Sequence, residues 1–313
     1  MKIIRVSDPI LLPLAPTIAG TIANYLQLMA QQVHLRLLHD CDNAATELPP
    51  DWSWELQSER SIQLVTTTQY QYVSTIAHRL GAKLSLNPLK ICENLRSPVP
   101  NETSIEHCGL ELACWYNDSG YIYFQVADSA IDRWLKYIHY IPLKLELQVD
   151  RAVPIPTVAI YTHARCCSLL KLAEREKIIA LTPDWQISTA DRASASSPVA
   201  KRDCSANPLL AQLTSIYDLA AERRLIQTLM AVLDAIYSNN SLGVNPRPPN
   251  WPKLTIDLAQ SWLEFYRYCQ IFGEIKRQSP HLAIARCELT AIARRYLQLL
   301  LENYLGVSVL WEL

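Results

Sequence analysis

Two places in the chain set aromatic rings beside polar groups at a spacing that suits a flat, polar ligand. In IPTVAIYTHARCCSLLKLAE (155–174), Tyr161 and Arg165 are four residues apart. On a helix this puts them one turn apart on one face. A ring and a guanidinium so placed can stack on and clamp an unstacked nucleotide. Equally, they can stack on each other where two helices meet. His163 lies about 200° around the helix from Tyr161, and a structural hydrogen bond suits it better than catalysis. The second place is YIYFQV (121–126). Strand alternation puts Ile122, Phe124 and Val126 on one face and Tyr121, Tyr123 and Gln125 on the other. The second trio offers two rings for stacking and an amide for base edges, the chemistry of RNA recognition on a sheet. The same tyrosines would also serve to cover a half-exposed sheet or to meet a helix.

Nothing in the sequence suggests catalysis beside them. It has no Gly-rich phosphate loop, no Ser/His/Asp context, no HExxH or HxxEH pair and no nucleophile motif. No cofactor is expected. His107, Cys108 and Cys114 match no strong zinc spacing, so no metal is expected either. There are nine cysteines and no CxxC pair. With no signal peptide, they read as buried thiols of a cytoplasmic protein. Cys166 and Cys167 are adjacent on a predicted helix, where their side chains diverge and cannot easily bridge. The apolar runs are too short or too interrupted to cross a membrane, and no membrane partner is expected.

The elements that must hold these residues fill 313 positions, enough for two domains with real cores. Half the chain is hydrophobic and 19% is charged, which excludes a disordered chain. Only 7 glycines are present, which argues against a nucleotide-binding α/β domain with its glycine-rich turns. Net charge is −1, unevenly spread: residues 1–150 hold 11 Lys/Arg against 16 Asp/Glu, and residues 151–313 hold 18 against 14. Only the second half has the sign that suits a polyanion, and by a small margin.

A first helix is expected within 9–38, starting after Pro9 or Pro16, with Ile18, Ile22, Tyr25, Leu26 and Met29 at helical spacing. Residues 40–60 read as a polar loop. The spacing predicts a helix over 66–84, with Tyr72, Val73, Ile76, Ala77 and Leu80 on one face and Gly81 at its end. Asn87-Pro88 starts a short helix. ELACWY (111–116) and YIYFQV flank the turn Asn117-Asp118-Ser119-Gly120 and predict a β-hairpin. Asp128 then caps a helix whose buried stripe is Ile131, Trp134, Leu135 and Ile138. Residues 139–155 link the halves. The second half is helical, over about 156–180, 208–238, 254–273 and from Ser279-Pro280 to Gly306. A Ser/Ala-rich stretch near 184–207 reads as flexible, and NPRPPNWP (245–252) as a loop.

Six stretches resemble arginyl-tRNA synthetases, in the family's order. QYVSTIAHRLGAKLSLNPLKICENL (71–95) and SGYIYFQVADSAIDRWL (119–135) are similar to parts of its N-terminal additional domain. IYTHARCCSLLK (160–171) resembles the start of its DALR-type anticodon-binding domain. ERRLIQTLMAVLDAI (222–236), LTIDLAQSWLEFYRYCQI (254–271) and LAIARCELTAIARRYLQLLLENYLGV (282–307) are similar to later helices of that domain. The resemblance implies anticodon stem and loop contacts at Tyr161, Arg165 and Tyr266, and D-loop contacts on the strand of Tyr121, Tyr123 and Gln125. Arg286, Arg294 and Arg295 on the last helix would contact phosphates. The alternative for these three is a solvated helix face paired with Glu288 and Glu302.

The chain also departs from the family. About 20 residues separate Ile138 from Val158, where the family has a catalytic domain of several hundred. No HIGH-type or KMSKS-type signature occurs, so the contacts that stabilise adenylate formation have no counterpart. The family's strand asparagine is Tyr123 here, and its terminal P-E-R-M is Leu310-Trp311-Glu312-Leu313. The expected fold is mostly α: a small α+β domain with a hairpin or small antiparallel sheet over 1–145, then an all-α anticodon-binding-type bundle over 146–313. The expected function is non-catalytic binding of tRNA or a tRNA-like RNA. A repurposed protein-interaction scaffold is the alternative, and residual arginine–tRNA ligase activity a third.

Overall fold

The structure, a computed structural model, describes residues 10–13, 17–26, 62–66, 69–95, 109–140, 156–188, 217–240, 249–309 and 311. It is mostly helical, with a small antiparallel sheet in the N-terminal part. Two compact units divide the chain. The first takes Met1–Trp134 with Leu233–Pro249, and the second takes Leu135–Val232 with Asn250–Leu313. Among the described residues no helix is long and apolar enough to cross a membrane.

The first unit is built on five strands in the order β1-β4-β5-β3-β2: β1 (Ile10–Pro13), β2 (Ile62–Thr66), β3 (Tyr70–Ser74), β4 (Gly109–Tyr116) and β5 (Ile122–Val126). Every neighbouring pair is antiparallel. The β4–β5 hairpin forms as its turn sequence predicts, with Tyr116 opposite Ile122. Asn117 organises the turn: its side-chain oxygen accepts from the backbone N–H of Ser119 at 3.1 Å and of Tyr121 at 2.9 Å. Alternation on β5 holds, with Ile122, Phe124 and Val126 buried. Residues 18–26 form helix α1, whose Ile18 and Ile22 are buried and whose Tyr25 meets Phe124 edge-on at 6.1 Å.

Of the two starts expected for the first helix, the one after Pro9 is excluded, because residues 10–13 are strand; α1 fits the start after Pro16. One expectation is corrected: the helix predicted over 66–84 is two elements, β3 and α2 (Ile76–Leu84). Tyr72 and Ile76 stand four apart by coincidence of a strand's inward position and a helix's first residue. Pairing with β2, just before it in sequence, and with the distant β5 on the other side gives 70–74 a hydrogen-bond ladder on each edge. Helix α2 runs past Gly81 to a left-handed Ser85, and the Leu86 N–H closes back on the Gly81 carbonyl at 3.0 Å. Gly81 is needed for close approach: a Cβ there would stand 2.7 Å from the Leu86 carbonyl oxygen. Helix α3 (Pro88–Leu95) opens with the Asn87 side chain accepting from the Leu89 N–H at 2.9 Å. Helix α4 (Asp128–Tyr140) starts in this unit and counts with the second from Leu135 on; it buries Ile131, Trp134, Leu135 and Ile138 as its periodicity requires.

The second unit is helical. Its elements are α5 (Thr157–Arg175), α6 (Ala220–Asn240) as far as Val232, its remainder counting with the first unit, α7 (Trp251–Tyr268), the short α8 (Glu274–Gln278) and α9 (Pro280–Leu299), which widens into a π-turn over Leu300–Tyr304. Helix α5 packs against α7 and α9. Five of its nine buried positions are small (Ala159, Ala164, Cys166, Cys167, Ala173), which lets neighbouring helices come close there. Helix α7 begins earlier than expected: Trp251 and Pro252 lie in its first turn, and Asn250 caps it by accepting from the Lys253 N–H at 3.0 Å. Gly306, at φ 65°, ends the last helix as expected, with the Val307 N–H on the Leu301 carbonyl at 2.8 Å. Residues 181–188 close a small loop through a bridge between Leu181 and Ile187. The polar loop of 40–60, the Ser/Ala-rich stretch from 189 onward and the His107-Cys108 pair lie outside the described residues.

Candidate nucleic-acid interface

On α5, Tyr161 and Arg165 both reach the surface, Tyr161 at 47% exposure and Arg165 half-buried. They do not stack on each other. Arg165 crosses to α7, where its Nη2 donates to the Tyr266 hydroxyl at 3.0 Å and its guanidinium carbon lies 5.3 Å from the Tyr266 ring centre. Tyr266 in turn lies nearly parallel to the fully buried Trp262, at 5.3 Å and 13°. The result is a ladder from the core outward: Trp262, Tyr266, Arg165. A guanidinium held in this way loses little further rotamer freedom on binding a ligand. Arg165 has no carboxylate partner among the described residues, and Tyr161 projects one turn away with no ring contact. The structure therefore joins Arg165 to Tyr266 and leaves Tyr161 exposed one helical turn from Arg165.

The same helices border a groove of about 610 Å³. One side is the α5 stripe Arg165, Ser168, Leu169, Leu172 and Arg175. The other is Tyr266 with Cys269–Gly273, where the chain leaves α7 in extended conformation before turning at Gly273 (φ 69°). No carboxylate lines it.

The three arginines of α9 differ from one another. Arg286 is buried, and its Nε donates to Glu222 at 2.7 Å while Nη1 donates to the Gln270 carbonyl. Its ion-pair partner is neither of the glutamates expected, and it does not lie on a solvated face. Glu222 also accepts from the Leu219 N–H at 3.0 Å, half of a capping box at the start of α6. Arg294 is buried as well. It donates to Gln298 at 3.1 Å, with its guanidinium 5.6 Å from the Trp185 ring and 5.7 Å from Trp311. Trp185 and Trp311 stack at 5.5 Å, and Lys171 stands 5.4 Å over Trp185. Arg295 is half-buried and donates to the carbonyls of Ile138 and His139. These internal partners give all three guanidiniums a structural explanation.

On the sheet, Tyr123 stacks on Trp115 of β4 at 5.7 Å and 12°, and its hydroxyl accepts from the Asn117 amide at 3.4 Å. Tyr121 lies at the turn's exit, 37% exposed, with its ring 4.6 Å from His78. Gln125 is half-buried on the Tyr123 face, opposite Gln71 and Ala113. Trp115 is the aromatic residue that the sequence reading missed. Counting the hairpin register back from the turn would have placed it opposite Tyr123.

His163 is fully buried and meets Trp311 edge-on at 5.6 Å. Its Nδ1 lies 4.0 Å from the Cys167 sulfur. Burial pushes the Cys167 thiol up to about 11 and Cys287 to about 12, so both stay protonated and un-nucleophilic near neutral pH.

No family model matches the chain, and no solved structure matches it. Over 168 residues it is 27% identical to an arginine–tRNA ligase of Synechococcus sp. (strain JA-3-3Ab). That match covers 52% of this chain but 23% of the ligase, so the likeness takes in under a quarter of the ligase's length. The chain thus has an arginyl-tRNA synthetase-like relationship over half its length.

Proposed function

We propose that this chain binds a tRNA, or an RNA folded like one, and does not charge it. The helical unit would serve as a DALR-type anticodon-binding domain and the sheet unit as an additional-type domain that meets the D-loop. The observation that carries the reading is the ladder Trp262–Tyr266–Arg165 with Tyr161 beside it. It offers a fixed cation and exposed rings, which suit unstacked bases of a loop. The likeness to a protein whose name records action on tRNA supports the same ligand. The non-catalytic half of the proposal rests on the missing HIGH-type and KMSKS-type signatures.

A filter-binding titration with tRNA at moderate salt tests it. The Tyr161→Ala/Arg165→Ala double variant is expected to bind at least about tenfold more weakly, since each base–aromatic stack contributes about 1–3 kcal/mol. Equally poor binding by wild type and variant would sink the reading. Arginine-dependent ATP–pyrophosphate exchange is expected to be absent, and its detection would overturn the non-catalytic half. The net charge of −1 favours a second reading, a protein-docking scaffold using the same face. A pull-down that recovers one stoichiometric protein and no RNA decides for that.

A further inference from the structure

Beyond the ladder, the groove beside it has a chemistry of its own. Its floor is apolar: Leu169 and Ile271 are buried, Leu172 is 38% exposed, and Phe272 is half-buried. Its two cations stand at opposite ends of one α5 stripe, Arg165 and Arg175. Ten residues of helix separate them by about 15 Å, and both side chains are long enough to lean inward over the floor. Arg175 forms no ion pair or hydrogen bond among the described residues. Its neighbour Glu176 is engaged elsewhere, accepting from Lys276 at 2.8 Å. The volume of about 610 Å³ lies within the range of about 300–1,000 Å³ usual for small-ligand sites.

Two cations flanking an apolar floor, with no carboxylate in the lining, fit a flat ring with an anion on each side. We infer that the groove takes one splayed-out nucleotide, its base on Leu172 and Phe272 and its flanking phosphates on Arg165 and Arg175. The inference rests on the RNA-binding reading and adds to it a seat for one base and a second phosphate contact. Arg175, Leu172 and Phe272 become binding residues. The side chain of Tyr266, which holds Arg165, forms the wall at one end. Gly273 turns the opposite wall at φ 69° and ψ −118°, where a side chain would be strained.

The test is a titration of fluorescein-labelled tetrauridylate and, separately, unlabelled uridine and adenosine monophosphates by calorimetry, with folding of each variant checked by thermal melting. Arg175→Ala is expected to weaken the oligonucleotide about tenfold and to lower the slope of log K against log salt by about 0.7, one single-strand phosphate contact. Leu172→Asp, at an exposed position, is expected to abolish binding by setting a carboxylate where the base and phosphate lie. Arg267→Ala, on α7 outside the groove, is the control and should leave the slope unchanged. Saturable monophosphate binding that Leu172→Asp removes assigns the groove to a free nucleotide as well. Oligonucleotide binding alone assigns it to a strand. If Arg175→Ala and Leu172→Asp bind like Arg267→Ala while Tyr161→Ala/Arg165→Ala still loses tRNA, the groove proposal fails and the RNA-binding reading stands. If wild type binds neither tRNA nor oligonucleotide, both fail.

Discussion

Arginine carries most of the information at the residue scale, and its meaning depends on what it faces. Arg165, Arg286 and Arg294 all lie on helices among apolar neighbours, and in sequence they look alike. In the folded unit Arg165 lies over a half-exposed ring, Arg286 is sealed against Glu222, and Arg294 lies beside two tryptophan rings. A buried ion pair adds little net stability, but removing one partner strands a charge in a low dielectric. Glu222→Gln should therefore destabilise the helical unit by about 3–5 kcal/mol in urea unfolding. The double change Glu222→Leu/Arg286→Met should recover most of that loss. A single variant as stable as wild type would show that the pair is solvated. The sequence signalled the Tyr161/Arg165 spacing. It gave no sign that Arg165 reaches across to Tyr266, because that contact spans 101 positions and depends on how α5 and α7 pack.

At the scale of elements, the clearest sequence signals belonged to segments whose partner is local. The β4–β5 hairpin follows from Asn117–Gly120 between two alternating runs, and the α4 stripe follows from its period. The β3 strand was missed although β2 lies just before it, because Tyr72 and Ile76 fall at helical spacing and its other partner, β5, is some 50 residues away. The hairpin turn also meets α3: at Gly120, with φ 81°, an added Cβ would stand 2.5 Å from the Pro88 Cβ. Gly120→Ala must then adopt an unfavourable backbone region and displace a rigid ring. The expected loss is about 2–4 kcal/mol, the sum of a left-handed backbone penalty and overpacking. A denaturant midpoint shared by Gly120→Ala and wild type would refute that close approach.

For the whole molecule, charge and burial set the response to conditions. The net charge of −1 gives the whole chain little long-range field for a polyanion, so the proposed RNA binding rests on stacking and a few phosphate contacts. The buried thiols make stability pH-dependent on the alkaline side. Burial raises the Cys167 thiol from its ordinary 9.0 to about 11 and Cys287 to about 12. A folded-state pKa raised above the unfolded one means the stability is fully present below pH 9 and is lost as pH rises toward 11–12. Urea midpoints should fall between pH 8.5 and 10.5, and Cys287→Ala should flatten that fall. An identical slope in the variant would show that this thiol ionises equally in both states.

Composition and periodicity by themselves determined a mostly helical chain, a hairpin before a buried amphipathic helix, and a candidate face carrying Tyr161 and Arg165. These are short-range properties: a turn needs four residues, and a helical face needs the next turn. Tertiary packing alone decided which arginines are sealed and which remain available, that Trp115 backs Tyr123, and that α5 and the exit of α7 enclose a groove with Arg175 at its end. Those outcomes depend on residues tens of positions apart meeting at distances of a few ångströms. Only the closing of the core sets such distances.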